Sequence, residues 1–403
     1  MVAAPAAPVA VAKVDGYYVD LAAQADLMFA QIGGFGNSDC SKIDLRASPS
    51  RMPSSIARPP GRAEKGSKWH RPSGLSSIAV PCILPFMKPI HWVLLGACLL
   101  LRLEAQPRPQ RQFELKAESG NFWKLIDRGA TLEKVASGFG FLEGPAWHPE
   151  GFLYVTDETN NRVSRVFPDG RIEKVLDVGD PDGSTMDRNY RLITTGDTKR
   201  VVIAVQPDGT YRVLADKYEG KRLNSPNDIV LGPDGAFYFT DPNLDLPKDQ
   251  KQEIPFQGVY RLGTDGSLRL LVKDLSAPNG LAFSPDGKRL YIDDSKTREI
   301  RVYDVGRNGD LSSPRLFGKE EGPRGSGVPD GMRVDRRGNL FVTGPLGIWV
   351  WAPSGRHLGT IVLPENAANL AWGDADLRTL YITATSSVYR LKTRTRGFVP
   401  YMH

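Results

Sequence analysis

Six stretches of this chain repeat one another. They are "EGPAWHPEGFLYVTD" from Glu143, "DGSTMDRNYRLITTG" from Asp182, "NDIVLGPDGAFYFTD" from Asn227, "NGLAFSPDGKRLYIDD" from Asn279, "DGMRVDRRGNLFVTG" from Asp330 and "NLAWGDADLRTLYIT" from Asn369. Each opens on Asn, Asp or Glu, alternates through apolar positions, turns, and enters a second strand rich in aromatic and β-branched residues. Most continue into a third strand ("RVSRVF", "GVYRL", "IRVYDV"), then an Asp-Gly turn and a fourth strand, as in "FPDGRIEKVL". Such a four-stranded meander, about 40–50 residues long, is the blade of a β-propeller and stays stable only by stacking on its neighbours. Six copies predict an all-β, six-bladed ring. No run sustains the 3.6-residue period that an α-solenoid or a nucleotide-binding βαβ unit needs. The stretch "FWKLIDRGATLEKVA" before the first repeat predicts a short helix, then a strand that completes the last blade and closes the circle.

The 403 residues are enough for one large domain or two small ones, and the repeats assign residues 112–400 to the propeller. A net charge of +6 invites an anionic partner, but the basic residues are scattered, with no dense run interleaved with aromatics. That pattern excludes nucleic acid as the expected partner. Cys40, Cys82 and Cys98 all precede the repeats, so the propeller has no disulfide framework, thiolate metal site or cysteine nucleophile.

Residues 1–86 are rich in Ala, Pro, Ser and Arg without periodicity, and read as disordered. Residues 87–105 read as a secretory signal. Met87-Lys88 make the basic start, Trp92 to Leu101 an apolar core too short for a bilayer, and Leu103-Glu104-Ala105 a cleavage site before Gln106. Met87 is then the expected true start, residues 1–86 an over-extension, and the protein periplasmic or secreted, monomeric and free of the membrane after cleavage. An interior strand, an uncleaved anchor, or a lipoprotein signal at Cys98 are the competing readings; the last is weakened by the apolar run continuing beyond Cys98.

Spacing singles out one position per repeat. Glu143, Asn227, Asn279 and Asp330 each precede their turn glycine (Gly151, Gly235, Gly287, Gly338) by the same interval. Asp182 and Asn369 stand in the same register, with Tyr190 and Leu377 in place of glycine. If each heads the innermost strand of its blade, six oxygen-bearing side chains ring one mouth of the central channel. Such an all-oxygen collar suits a hard divalent cation, calcium first, with magnesium, manganese or zinc as alternatives. The bland alternative is that Asn, Asp and Gly merely start strands and fill turns, but Glu143 has no such use. Asp169, Asp208, Asp234, Asp265 and Asp286 sit beside glycines and read as turn residues. Asp157 and Asp241 end strands and either support the collar or cap loops. His148 and His357 read as packing residues.

Residues 112–397 resemble the SMP-30/gluconolactonase family of six-bladed, metal-dependent lactonases. "GFGFLEGPAW", "LADKYEGKRLNSPNDIVLGPDGAFYFTDP", "APNGLAFSPDGKRLYIDDS", "VPDGMRVDRRGNLFV" and "ANLAWGDADLRTLYIT" carry the resemblance. It implies a divalent metal held by Glu143, Asn279 and Asp330, with Asn227 bordering the site as a further metal or substrate ligand. The second repeat departs from the family: Asp182 stands where Asn is usual, and the block reads as degraded. The resemblance also implies the chemistry. A bound cation polarises the carbonyl of a cyclic ester and activates water. Asp330 is then the expected catalytic residue, taking the water proton, while Asn227, Asp182 and Asn369 orient the hydroxyls of a sugar lactone that opens to the aldonic acid. The competing expectations are a non-catalytic propeller around a structural ion and an esterase acting on other esters. The loop "NLDLPKDQKQEIPF" is expected to cover the mouth.

Overall fold

A computed structural model describes residues 11–14, 17–20 and 111–402. Strands β1 (Val11–Val14) and β2 (Tyr17–Asp20) form a two-stranded sheet. The rest of the 1–86 segment, and the signal-like 87–105 stretch, lie outside the described residues.

Residues 111–402 form six sheets around one axis. Strand β3 (Glu114–Ala117), helix α1 (Phe122–Leu125) and β4 (Leu132–Ser137) come first. Blade 1 is β5 (Leu142–His148), β6 (Phe152–Asp157), β7 (Arg162–Val166) and β8 (Ile172–Asp177). Blade 2 is β9 (Pro181–Met186), β10 (Leu192–Gly196), β11 (Val201–Val205) and β12 (Tyr211–Ala215). After a small hairpin, β13 (Lys217–Tyr218) and β14 (Lys221–Arg222), blade 3 is β15 (Ile229–Leu231), β16 (Phe237–Asp241), β17 (Gly258–Leu262) and β18 (Leu268–Val272). Blade 4 is β19 (Pro278–Phe283), β20 (Arg289–Asp294), β21 (Glu299–Val305) and β22 (Leu311–Lys319). Blade 5 is β23 (Met332–Val334), β24 (Leu340–Gly344), β25 (Gly347–Trp351) and β26 (His357–Val362), and blade 6 begins β27 (Ala367–Gly373), β28 (Thr379–Ala384) and β29 (Ser387–Lys392). From the axis outwards the strands named for each blade run in chain order, the sheets of blades 5 and 6 ending instead on β3 and β4, and the innermost strands β5, β9, β15, β19, β23 and β27 touch in sequence, β27 returning to β5.

The ring closes as the sequence predicts. β4 supplies the fourth strand of blade 6 by pairing antiparallel with β29, Val388 opposite Ala136. One strand was not legible in the sequence: β3 pairs with β26 and gives blade 5 a fifth, outermost strand. The second repeat, degraded in sequence, is a complete four-stranded blade. Its turn survives because Tyr190 takes the left-handed backbone (φ 61°) that Gly151 (93°) and Gly235 (79°) take elsewhere, and Leu377 (52°) does the same in blade 6.

Inner strands such as β9 are buried throughout, while the outer strand β8 is mostly exposed or half-buried with only Leu176 buried, the pattern of a sheet that is core at its axis and surface at its rim. Aromatic rings lock blade to blade: Trp147 stacks on Tyr381 at 5.2 Å, Phe341 meets Trp372 edge-on at 5.1 Å, and Tyr238 meets Phe283 at 4.8 Å. A second device is a belt of threonines at the ends of the second strands. The hydroxyls of Thr156, Thr195 and Thr240 donate to the carbonyls of Asp182, Asn227 and Asn279 in the following blade, Thr156 and Thr240 at 2.7 and 2.8 Å. Those three carbonyls belong to collar residues, so the belt sets where the collar stands.

Candidate functional site

The structure brings all six counted residues to one mouth. Glu143, Asp182, Asn227, Asn279 and Asn369 are buried, and Asp330 is half-buried. The dipeptides Glu-Gly, Asp-Gly and Asn-Gly that open four repeats have a reason other than turns. A Cβ on Gly144 would stand 2.2 Å from the carbonyl oxygen of Asp182; on Gly183, 2.5 Å from Cα of Asp228. On Gly280 it would meet the carbonyl oxygen of Asp330, and on Gly331 the side chain of Asn369. Glycine therefore follows the collar residue because the next blade's inner strand passes directly beside it. Register shifts follow Glu143 and Pro278 in β5 and β19, local irregularities at the strand heads that carry Glu143 and Asn279.

Blade 3 breaks the glycine rule with Asp228. Its carboxylate lies 3.5 Å from the guanidinium of Arg333 of blade 5 and accepts from the Ile229 N–H at 2.8 Å. Burial pushes its pKa up, and Arg333 pulls it back. Arg333 also lines a cavity of about 30 Å³ farther down the channel, bounded by Phe398, Val399, Pro400 and Tyr401 of the C-terminal segment. The Tyr401 hydroxyl donates to the Trp147 carbonyl at 3.0 Å, which holds that segment in place as a plug. With room for about one water, the cavity does not serve a sugar-sized ligand; chemistry belongs at the collar.

The collar is crowded with carboxylates. One oxygen from each of Glu143, Glu158 and Asp182 lies within 4.8 Å of the others, and Asp182, Asp197 and Asp245 form a second such group. Asp245 lies in the loop expected to cover the mouth, so that loop does reach it. Burial raises the Glu143 pKa to about 7, with the nearby Asp228 adding to the rise and hydrogen bonds from Asn369 and the Gly144 N–H opposing it. Asp182 and Asp330 are pushed well above the carboxylate range, by burial first and then by neighbouring acids: Asp197 for Asp182, and Glu143 for Asp330.

The amides are arranged in the opposite sense. Asn227 donates its Nδ2 to Asp182, and Asn279 donates its Nδ2 to Ser295 Oγ at 3.0 Å, while Oδ1 of both is buried and has no hydrogen-bond partner among the described residues. A buried amide oxygen left unpaired costs about 1–3 kcal/mol. Two such oxygens beside carboxylates that repel one another form the electrostatic complement of a cation, and an all-oxygen donor set is what a hard divalent ion takes. Glu143, Asn279, Asp330 and Asn227 therefore fit such an ion. Asn369 uses both ends of its amide within the collar, donating to Glu143 at 2.9 Å and accepting from the Leu370 N–H at 2.9 Å.

The other acids singled out in the sequence sort as structural. Asp157 accepts from the Gly140 N–H, Asn160 and Arg162, and Asp241 accepts from the Asn224 N–H, so both cap loops. Asp169, Asp208, Asp234, Asp265 and Asp286 each accept a backbone N–H two residues on. His148 stacks on Phe152 at 4.5 Å and His357 on Trp349 at 4.4 Å, as packing residues do. Sequence reasoning missed Glu158, Asp197, Asp245, Ser295 and Arg333. Three of these share a readable place: Glu158, Asp197 and Ser295 each directly follow the second strand of their blade.

Fold and mouth together define a six-bladed propeller with an oxygen-lined, largely buried collar at one mouth. The chain belongs to the SMP-30/gluconolactonase/LRE-like family, whose model matches residues 141–386. It is 35% identical over 300 residues to the gluconolactonase of Zymomonas mobilis subsp. mobilis, covering 68% of this chain and 84% of that protein. It is 30% identical over 251 residues to the pentonolactonase XacC of Haloferax volcanii, covering 60% and 80%. A solved gluconolactonase from Xanthomonas campestris superposes with a TM-score of 0.65 at 32% identity, covering 71% of this chain and 99% of that one.

Proposed function

We propose that this protein is a metal-dependent hydrolase of carboxylic esters that opens a sugar lactone to its aldonic acid. The carrying observation is the collar: buried amide oxygens of Asn227 and Asn279 without partners, beside Glu143 and the half-buried Asp330. A divalent cation held by Glu143, Asn279, Asp330 and Asn227, calcium first, would polarise the lactone carbonyl and stabilise the negative charge that develops there. The chain's own groups supply the rest. Asp330 is the half-buried acid of the collar, and as a carboxylate beside the cation it would take a proton from the attacking water at one of its oxygens. As the ring C–O bond breaks, the same proton passes to the departing alkoxide, which becomes the hydroxyl of the open acid. The acids of blades 1 and 2 make a wall of acceptors for sugar hydroxyls, with Asp182 also orienting Asn227. Asn369 holds Glu143 rather than substrate.

The experiment is lactone hydrolysis by protein beginning near Gln106, followed with a pH indicator on a panel that includes glucono-δ-lactone. It is run before and after chelation, and with calcium, magnesium, manganese or zinc restored. Activity lost to chelator and restored by one ion is the expected result; cation binding without turnover of any lactone would overturn it. Asp330→Asn that kept both cation and full activity would remove Asp330 as the base. The signal-like 87–105 segment supports a protein working in the periplasm or outside the cell, checked by the mass of the natural mature chain.

A further inference from the structure

The collar asparagines present an ambiguity that the protein has to resolve. A rotation of about 180° at the end of an Asn side chain exchanges an acceptor oxygen for a donor NH2 at nearly the same place. A cation site needs the oxygen inward, so something must hold the NH2 end outward. For Asn279 that partner is Ser295, directly beyond β20, with Asn279 Nδ2 donating to Ser295 Oγ at 3.0 Å. The Ser295 hydroxyl in turn donates to the carbonyl of Pro329 at 2.7 Å. Both Asn279 and Ser295 are 5% exposed, which leaves no room for solvent to substitute.

The direction of this relay follows from chemistry. A carbonyl has no hydrogen to give, so the one proton of Ser295 is committed to Pro329. Towards Asn279, Ser295 can then only accept, and only the NH2 end can face it. Oδ1 is left pointing elsewhere, buried and without a hydrogen-bond partner. Ser295 is itself held by its N–H donating to the Ala277 carbonyl at 3.0 Å, two residues before Asn279. Pro329 immediately precedes Asp330. One hydroxyl thus ties the head of blade 4 to the entry of blade 5. The positions that match Ser295 in blades 3 and 5 are Pro242 and Pro345, which have no hydroxyl to do the same.

The geometry points to Ser295 as a positioning residue for the cation site: it orients the Asn279 amide so that Oδ1 faces the ion, and it anchors the segment leading into Asp330. This rests on the cation reading of the collar given above. The test is calorimetric titration of the chelator-stripped full chain with Ca²⁺ and with Mn²⁺, which needs no turnover. Removing a group that orients a metal ligand costs about 10- to 100-fold in affinity, and Ser295→Ala is expected within that range. Ser295→Thr, which keeps the hydroxyl, stays near the natural protein. In an Asn279→Asp background either oxygen can face the ion, so the further change Ser295→Ala loses only about twofold, a non-additivity expected of residues acting through one another. Equal affinity of Ser295→Ala and the natural protein would overturn the inference. So would the same loss in both backgrounds, since Ser295 would then be acting only on the fold. If Ser295→Ala does not fold, Ser295→Cys, close in volume but a weak acceptor, carries the same comparison. A natural protein that binds neither ion would remove the collar reading itself, an outcome distinct from a natural protein that binds while Ser295→Ala binds equally.

Discussion

The side-chain amide of Asn369 donates to Oε2 of Glu143 at 2.9 Å, joining the last blade to the first across 226 positions of sequence. The bond crosses the seam where the ring closes, and it falls on Glu143, one of the proposed cation ligands. It also opposes the burial that lifts the Glu143 pKa to about 7. Asn369→Ala removes that opposition, so a proton competes longer for the same oxygen. A rise of about one pKa unit would cut the ionised fraction at pH 7 from about one half to about one eleventh, so cation affinity is expected to fall about fivefold, roughly 1 kcal/mol. The loss should shrink at pH 9, where no proton competes. Calcium titrations at the two pH values check this, and an equal loss at both would mean that Asn369 acts by packing alone.

Burial and crowding make the metal-free collar sensitive to pH in a definite direction. The folded carboxyl of Glu143 titrates near 7 against an ordinary 4.5, so between those values the folded state binds more protons than the unfolded one. Its contribution to stability is therefore present at low pH and is lost as pH rises from about 4.5 to 7. Asp182 and Asp330, also raised, act in the same sense. Glu365 and Asp374, held low by hydrogen bonds from Tyr389 and Thr379 despite their burial, lose their contribution only as pH falls below the ordinary carboxylate range. Chelator-treated protein should thus melt lower at pH 8 than at pH 6. The gain in Tm on adding calcium should be larger at pH 8, because the ion replaces protons that are no longer there. Thermal melts at both pH values, with and without the ion, measure it; a gain independent of pH would put the cation away from these acids.

Much of this was legible because a propeller writes its geometry as a period. Counting to the turn position alone brought Glu143, Asp182, Asn227, Asn279, Asp330 and Asn369 to one ring, since equivalent positions in equivalent blades must share a height around the axis. Blade 2 looked degraded because the turn glycine is a strong local signal, yet a single left-handed Tyr190 preserves the turn. What stayed hidden depends on contacts between blades. Asp245 arrives from a loop with no periodic place, and Arg333 is an ordinary β23 residue until Asp228 of another blade faces it. The glycines after the collar residues carry no readable signal, because their constraint, the neighbouring blade's inner strand, is invisible in one repeat read alone.

Closure of the ring supplies another expectation. β4 is the fourth strand of blade 6, and Phe122, Leu125 and Ile126 before it are fully or almost fully buried in the core. Burying each such side chain is worth about 1.5–3 kcal/mol. Protein beginning at Arg111 should fold. Protein beginning at Gly120 loses only β3 from the rim of blade 5 and should fold with a lower Tm. Protein beginning at Gly140 loses the closing strand and all three anchors, and should fail to give a cooperative melt. Circular dichroism melts of the three proteins decide it, and a cooperative transition in the shortest would show that the β29 edge does not need its partner.

Two residues hold the same strained backbone in opposite surroundings, and magnitudes decide what glycine would do at each. Tyr190 has φ 61° and is 39% exposed; Leu377 has φ 52° and is 2% exposed. Relieving a left-handed L-residue gains about 1–2 kcal/mol. The greater freedom of glycine in the unfolded chain takes back about 0.5–1 kcal/mol. At Tyr190 what else is lost is largely an edge contact with His148 at 5.9 Å, so Tyr190→Gly should lie between neutral and about 1 kcal/mol more stable. At Leu377 the side chain belongs to the main core cluster, and removing a buried Leu costs about 2–5 kcal/mol. That exceeds the strain relieved, so Leu377→Gly should destabilise by roughly 2–4 kcal/mol. Urea unfolding of the two variants tests the pair together. If both shifted the midpoint the same way, the backbone rather than the burial would govern these turns, and the equivalence of blades 2 and 6 to the glycine-bearing blades would rest on conformation alone.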